Sequence, residues 1–294
     1  MNQTIFELMK KRAVLFDGGL GTELMRHGLP LGTSPETWNV ERPEVVQKIH
    51  ASYFEAGSDA VSTNSFGGNR IKLAAHGLEG RVRELNSAAA RLARRAATAG
   101  KFVAGSMGPT GKFLQPQGEY TESQFEEAYG EQARALAEGG VDLLIIETQY
   151  DLKEALAALR GARREAPSLP VFVTLTFNKL PRGYFTLMGN TVSRSAEALE
   201  KEGARAVGAN CTLNSEDMVG LVRAFREVTR LPVIAQANAG KPELSGQGEV
   251  SYSQGLEDYV RFIPEMLKAG ANIIGGCCGT DPGYIRKMAE FIKK

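Results

Sequence analysis

Short apolar, β-branched runs recur along the chain, each followed by a turn and then by a longer stretch whose apolar residues return every three to four positions. The runs are AVLFDGG (13–19), DAVSTNSF (59–66), KFVAGSMG (101–108), VDLLIIET (141–148), PVFVTLTF (170–177), ARAVGANC (204–211), PVIAQANAG (232–240) and ANIIGGCCGT (271–280), eight in all. Helical periodicity fills the intervals, as in PEVVQKIHASYFEAG (43–57), SQFEEAYGEQARALAEGG (123–140), DLKEALAALRGARREA (151–166) and LEDYVRFIPEMLKAG (256–270). Several of these open on a capping residue or a first-turn proline and close on glycine, as helix ends prefer. Eight strand signals alternating with helix signals predict an α/β protein, a single (β/α)8 TIM barrel, with an open doubly wound sheet as the alternative. No linker or low-complexity tract divides the chain, so residues 1–294 read as one barrel domain. RHGLPLGTSPETWNVE after the first run and GPTGKFLQPQGEYTE after the third read as long βα loops, which in a barrel form the active-site face.

Polar residues fall at a particular place in these runs. Asp17, Asn64, Ser106, Glu147, Asn210 with Cys211, Asn238, and Cys277 with Cys278 lie at or just past the C-terminal ends of the expected strands. In a parallel barrel those ends converge on one mouth. A carboxylate or amide ending an apolar strand is costly to desolvate without a partner, so convergence of this many predicts a site. Asp and Asn are also turn formers, which offers each asparagine a plainer explanation. That explanation suits Glu147 poorly.

Composition narrows the ligand. The 294 residues carry 35 basic and 34 acidic side chains, a formal charge of +1, and 43% are hydrophobic. This balance gives no reason to expect nucleic acid or an anionic membrane as partner and suits a small neutral or zwitterionic ligand. No leader-like apolar region follows the N-terminus and no run approaches a membrane span, so a soluble cytoplasmic protein is expected. Three cysteines in so long a chain do not make a disulfide framework. The histidines, His27, His50 and His76, lie outside the strand runs and read as solvated or packing residues; Trp38 and the Arg- and Lys-bearing helices read as surface.

The thiols carry the most specific expectation. Cys211 ends the sixth run and the Cys277–Cys278 pair ends the eighth, so the three can meet across the mouth. Zinc favours such ligands, and three protein ligands with one open position mark a catalytic site; otherwise the cysteines serve as small buried hydrophobes. Glycines around the pair let the backbone bend so that both neighbours face one ion, which a regular strand forbids. Three thiolates make the metal a weak Lewis acid, poor at generating hydroxide. It suits holding an incoming thiol, of free pKa about 8.5, as a nucleophilic thiolate.

With FDGGLGTEL, TNSFGGNRIKL, GSMGPTG, IIETQYD, GANC, NAGKP and GGCCGT in that order, the chain resembles the homocysteine S-methyltransferase family along nearly its full length. Within it, the chain is most similar to the homocysteine-binding domain of cobalamin-dependent methionine synthases. The resemblance implies a zinc-bearing barrel that methylates homocysteine to methionine. It places the zinc ligands at Cys211, Cys277 and Cys278, and gives Asn238 a position that fills the fourth site in some members. Asp17 and Glu147 match carboxylates that hold the substrate ammonium, and Ser106 lies in the pocket-shaping loop. The implied methyl donor is methylcobalamin on a separate corrinoid protein; S-methylmethionine is the alternative and a betaine-like donor fits least. The departures TNSF and DGGLGT, where the family usually has TNTF and DGAMGT, bear on which thiol is accepted. A non-catalytic zinc-thiolate module that binds small thiols is the competing function.

Overall fold

The structure is a computed structural model that describes residues 4–244 and 250–293. Eight parallel strands form the central sheet: β1 Val14–Leu15, β2 Ala60–Ser62, β3 Phe102–Met107, β4 Leu143–Gln149, β5 Val171–Leu175, β6 Ala206–Asn210, β7 Val233–Ala237 and β8 Ile273–Gly276. Their order, β1-β8-β7-β6-β5-β4-β3-β2, is that of a (β/α)8 barrel, as the alternation of runs predicts.

Period two explains the layering. Ala104, Leu143, Ile145, Phe172, Ala206 and Ile234 belong to one apolar cluster, which the N-terminal residues Phe6, Leu8 and Met9 close from below. The residues between them, among them Val103, Leu144, Ile146, Val173, Val207 and Ala235, belong to the larger cluster shared with the helices. Continuing the inner set two residues further along each strand reaches Ser106, Glu147, Thr174 and Gln236; on β6, beyond Gly208, it reaches Asn210. The uppermost inner layer is thus polar where the layers beneath are apolar.

The strand ladder has one seam, between β1 and β2, where the two strands share no ladder pairing. Carboxylates bridge it at both ends. Below, Asp59 accepts from the Leu15 N–H at 3.0 Å, forms a 2.6 Å ion pair with Arg12 and lies 3.2 Å from the Lys293 ammonium. Above, Asp17 accepts from the Ser62 N–H at 2.8 Å and from its hydroxyl at 3.2 Å.

Helices lie where periodicity places them, at Pro43–Ala56, Glu122–Glu138 and Leu152–Glu165. Two expectations are corrected. The segment 256–270 is not one helix but two, Leu256–Val260 and Ile263–Ala269. Pro264 has no N–H to give the Val260 carbonyl and its ring crowds the preceding turn, so the chain restarts there. Trp38 is not surface: it is 5% exposed, because the segment after β1 folds into a short 3-10 turn, Pro35–Thr37, and a helical turn, Trp38–Glu41. Arg42 stacks on its ring, 5.0 Å from the centroid.

Candidate metal and thiol-binding site

The three thiols meet. The sulfurs of Cys211, Cys277 and Cys278 lie within 4.8 Å of one another at the barrel mouth. Cys211 follows β6 with φ of 61° and Thr212 repeats it at 62°, a left-handed pair that β-branched and bulky residues avoid. That turn directs the Cys211 side chain toward the pair after β8. Hydrogen bonds lace the three loops together: Cys211 N–H to Gln236 O at 3.0 Å, Asn238 N–H to Leu213 O at 2.9 Å, Cys277 N–H to Ala237 O at 2.8 Å and Ala239 N–H to Cys278 O at 3.0 Å. Glycine matters at two places. A Cβ on Gly19 would meet the Cys277 carbonyl at 2.7 Å, and one on Gly279, at φ +83°, would strike the Tyr252 ring at 2.4 Å. The FDGG and GGCCGT segments are therefore halves of one close backbone contact.

Asn238 stands behind the sulfurs. Its Oδ1 accepts from the Cys278 N–H at 3.1 Å and its Nδ2 faces the Cys211 sulfur at 3.5 Å. Asn210 does the same from the barrel interior. Its Oδ1 accepts from the Thr148 N–H and the Thr174 hydroxyl, both at 2.7 Å, while Nδ2 donates to the Thr148 hydroxyl at 2.7 Å and faces the Cys277 sulfur at 3.8 Å. Thr148 needs that support, for its φ is 60°.

The thiols share their protons unevenly. Hydrogen bonds from Cys277 and Cys278 pull the Cys211 thiol down to about 2, while bonding to Cys211 pushes Cys278 up to about 12 and raises Cys277 also. Without a cation the cluster accommodates one thiolate and resists a second. Three clustered sulfurs beside open space are residues that could hold a soft divalent cation, whose charge would favour ionising the other two thiols.

Beside the sulfurs opens a cavity of about 340 Å³, walled by Asp17, Ser106, Glu147 and the thiols and, on its apolar side, by Leu20, Leu24, Met25, Phe66 and Tyr252. Ser106 donates to Glu147 Oε1 at 2.5 Å. Burial lifts the Glu147 carboxyl to about 7, the Ser106 bond opposing and a Cys211 thiolate reinforcing the rise. Burial lifts Asp17 to about 8 against the Ser62 bonds, with Glu147 adding repulsion. The two carboxyls thus share one cavity with no cation paired to either among the described residues. Asn64 also borders the cavity, but its amide is committed to Pro35 O at 2.8 Å and Asn39 Oδ1 at 3.0 Å, tying two loops together.

Several wall and support residues escape the sequence reading: Thr148, Thr174, Gln236, Glu36, Lys72 and Tyr252. Glu36 is 2% exposed and accepts from Gly67 N–H and Ser34 Oγ, each at 2.6 Å. For Thr174 and Gln236 the signal was present, since each continues the inward period of its strand; for the others the chain offers none. Of the histidines, His50 is fully buried with neither ring nitrogen partnered, and burial lowers it to about 4, so it packs as a neutral ring.

Among known proteins, the chain is 33% identical over 307 residues to methionine synthase of Mycobacterium tuberculosis, covering 98% of this chain and 25% of that one. The corresponding protein of Mycobacterium leprae is 32% identical over 309 residues, covering 99% and 25%. The chain thus spans about a quarter of the length of these relatives. Among solved structures it superposes on the homocysteine methyltransferase MmuM of Escherichia coli in its oxidized form with a TM-score of 0.80 at 25% identity, covering 99% of this chain and 100% of that one. The metallated form gives 0.77 at 26%, covering 97% and 98%. The sequence model described as homocysteine S-methyltransferase matches residues 14–292, from the first barrel strand through the last helix and across every thiol and carboxylate of the mouth, and the chain belongs to that family.

Proposed function

We propose that this chain is a zinc-dependent S-methyltransferase barrel that methylates the thiol of homocysteine to give methionine. The observation that carries the reading is the juxtaposition of three clustered thiols and two buried carboxyls on one cavity. Cys211, Cys277 and Cys278 would hold the metal. Bound there, zinc supplies a way to keep the substrate sulfur ionised near neutral pH and still nucleophilic. The chain does the rest. Asn238 and Asn210 direct their amides at the ligand sulfurs, fixing them and easing their charge. Glu147, held by Ser106, and Asp17, held by Ser62, receive the substrate ammonium. Leu20, Leu24, Met25 and Phe66 keep water from the sulfur. The sulfur then displaces the methyl group from its donor, forming the S–C bond as the donor–methyl bond breaks.

For the donor we favour methylcobalamin carried on a corrinoid protein, supported by the likeness of TNSFGGNRIKL and GSMGPTG to the homocysteine-binding domain of cobalamin-dependent methionine synthases. S-methylmethionine is the second reading.

Purified protein should contain about one zinc per chain by elemental analysis and lose it on Cys277→Ala. Full occupancy without all three thiols would overturn the ligand set. Incubation with homocysteine and either methylcobalamin or S-methylmethionine should yield methionine; affinity without product would leave a thiol-binding module.

A further inference from the structure

The ionisable groups of the cavity wall are almost all acids. Asp17, Glu36, Glu147 and three sulfurs line it, against two basic side chains, Lys72 and His76. His76 is exposed, whereas Lys72 is half-buried. Lys72 follows Asn69, whose side chain caps the short helix Arg70–Ala74 by accepting from the Lys72 N–H at 2.8 Å. From there the side chain runs between two glycines of different βα loops. Its Cγ lies 3.4 Å from where a Cβ of Gly67 would be, and its Nζ 3.3 Å from where a Cβ of Gly111 would be. A larger residue at either place would crowd the lysine from its course.

The ammonium has no ion pair. Arg70, two residues earlier, pairs with Glu131, and arginines over the outer face pair in the same way, but among the described residues no carboxylate lies within ion-pair reach of Lys72. The Glu36 carboxylate, which lies against Gly67 as the Lys72 stem does, is already satisfied by the Gly67 N–H and Ser34 hydroxyl. A half-buried, unpaired ammonium on the wall of an acidic cavity is an unfilled half of an ion pair.

Resting on the proposed thiol substrate, a second requirement follows. An amino-acid thiol brings a carboxylate as well as an ammonium. With the ammonium at Asp17 and Glu147 and the sulfur at the cysteines, that carboxylate enters a field of like charge and needs a cation of its own. We propose that Lys72 is the specificity-determining residue that receives the α-carboxylate of the substrate, so that the site selects zwitterionic thiols over thiols carrying an amine alone.

The test compares three probes on the zinc-loaded chain by calorimetry: homocysteine, 3-aminopropane-1-thiol, which lacks the carboxylate, and 4-mercaptobutanoate, which lacks the ammonium. Lys72→Gln should weaken homocysteine and 4-mercaptobutanoate about tenfold or more and leave 3-aminopropane-1-thiol within about twofold, and Lys72→Arg should restore most of the loss. Equal weakening of all three probes would mean that Lys72 merely shapes the pocket, and unchanged binding of homocysteine would mean that it is a bystander; either overturns the inference. Failure of the unsubstituted protein to bind any of the three is a different result, because it removes the thiol reading on which the inference stands. Zinc content and thermal midpoint, measured on each variant, separate these outcomes from misfolding.

Discussion

Glu147 and Asp17 share one cavity and repel one another, with hydroxyls and a backbone N–H for company and no cation paired to either among the described residues. Both are lifted far above the ordinary carboxylate range, so near neutral pH Asp17 is largely protonated and Glu147 about half so. The sign for folding follows. A carboxyl raised in the folded state contributes stability below its unfolded value, near 4, and that contribution is lost as pH rises through about 8 for Asp17. An ammonium ligand reverses the preference, since it needs the carboxylate. On the proposed function, homocysteine binding should therefore expel carboxyl protons at pH 6–7 in addition to the one its thiol gives up at the metal, and tighten as pH rises toward about 8, which calorimetry in buffers of different ionisation enthalpy will register. Glu147→Gln keeps the Ser106 partner but removes the charge. It should weaken homocysteine about ten- to a hundredfold, suppress much of the proton release and leave zinc content unchanged. Normal binding by this variant would exclude an ammonium from the pocket.

At the scale of elements, the strands carry their chemistry by parity. A residue two places beyond an inward apolar side chain is itself inward, which is why LLIIE delivers Glu147 and FVAGS delivers Ser106 to the mouth; their place at the ends of the apolar runs was legible in the sequence, but Ser106 belongs to strand β3 and not to the loop after it. The cysteines were legible for another reason: few residue types can hold a soft metal, and the chain has three of them, all at strand ends. The left-handed turns at Thr148, Cys211 and Thr212 were not, because threonine has no local liking for that backbone and adopts it only when tertiary bonds compel it. Nor was the burial of Trp38, which depends on a loop folding back, or the interruption before Ile263, where helical periodicity on both sides hid the effect of one proline. Asn210 is the compelling group for Thr148, joining the ends of β4, β5 and β6 through a single amide. Asn210→Ala should strand the Thr148 N–H and cost about 1–3 kcal/mol in urea denaturation. It should also weaken zinc binding by about ten- to a hundredfold, since the same amide faces Cys277. A variant as stable as its parent would show that the turn at Thr148 holds itself.

For the whole molecule, the seam between β1 and β2 decides how well the cylinder is closed. Burial opposes the charge of Asp59, yet its bond to Arg12, the Leu15 N–H and the nearby Lys293 together hold it below the usual carboxylate range. A carboxyl lowered in this way lends stability above its unfolded value, near 4, and withdraws it as pH falls through the folded one. Asp59→Asn should therefore lower unfolding free energy at pH 7 by about 1–3 kcal/mol, with the deficit shrinking below pH 4, as urea titrations across pH will show. No such deficit would mean that the Asp17–Ser62 clasp, the Asp59 N–H bond to the Leu15 carbonyl and the flanking helices keep the seam shut without the Asp59 carboxylate. At the other end of the same seam sits Asp17, whose clasp on Ser62 is made of the very carboxylate that a ligand's ammonium must engage. On the proposed function, the carboxylate that fastens the first strand to the second is also the one that meets the ligand, which couples affinity for that ligand to the closure of the barrel at this seam.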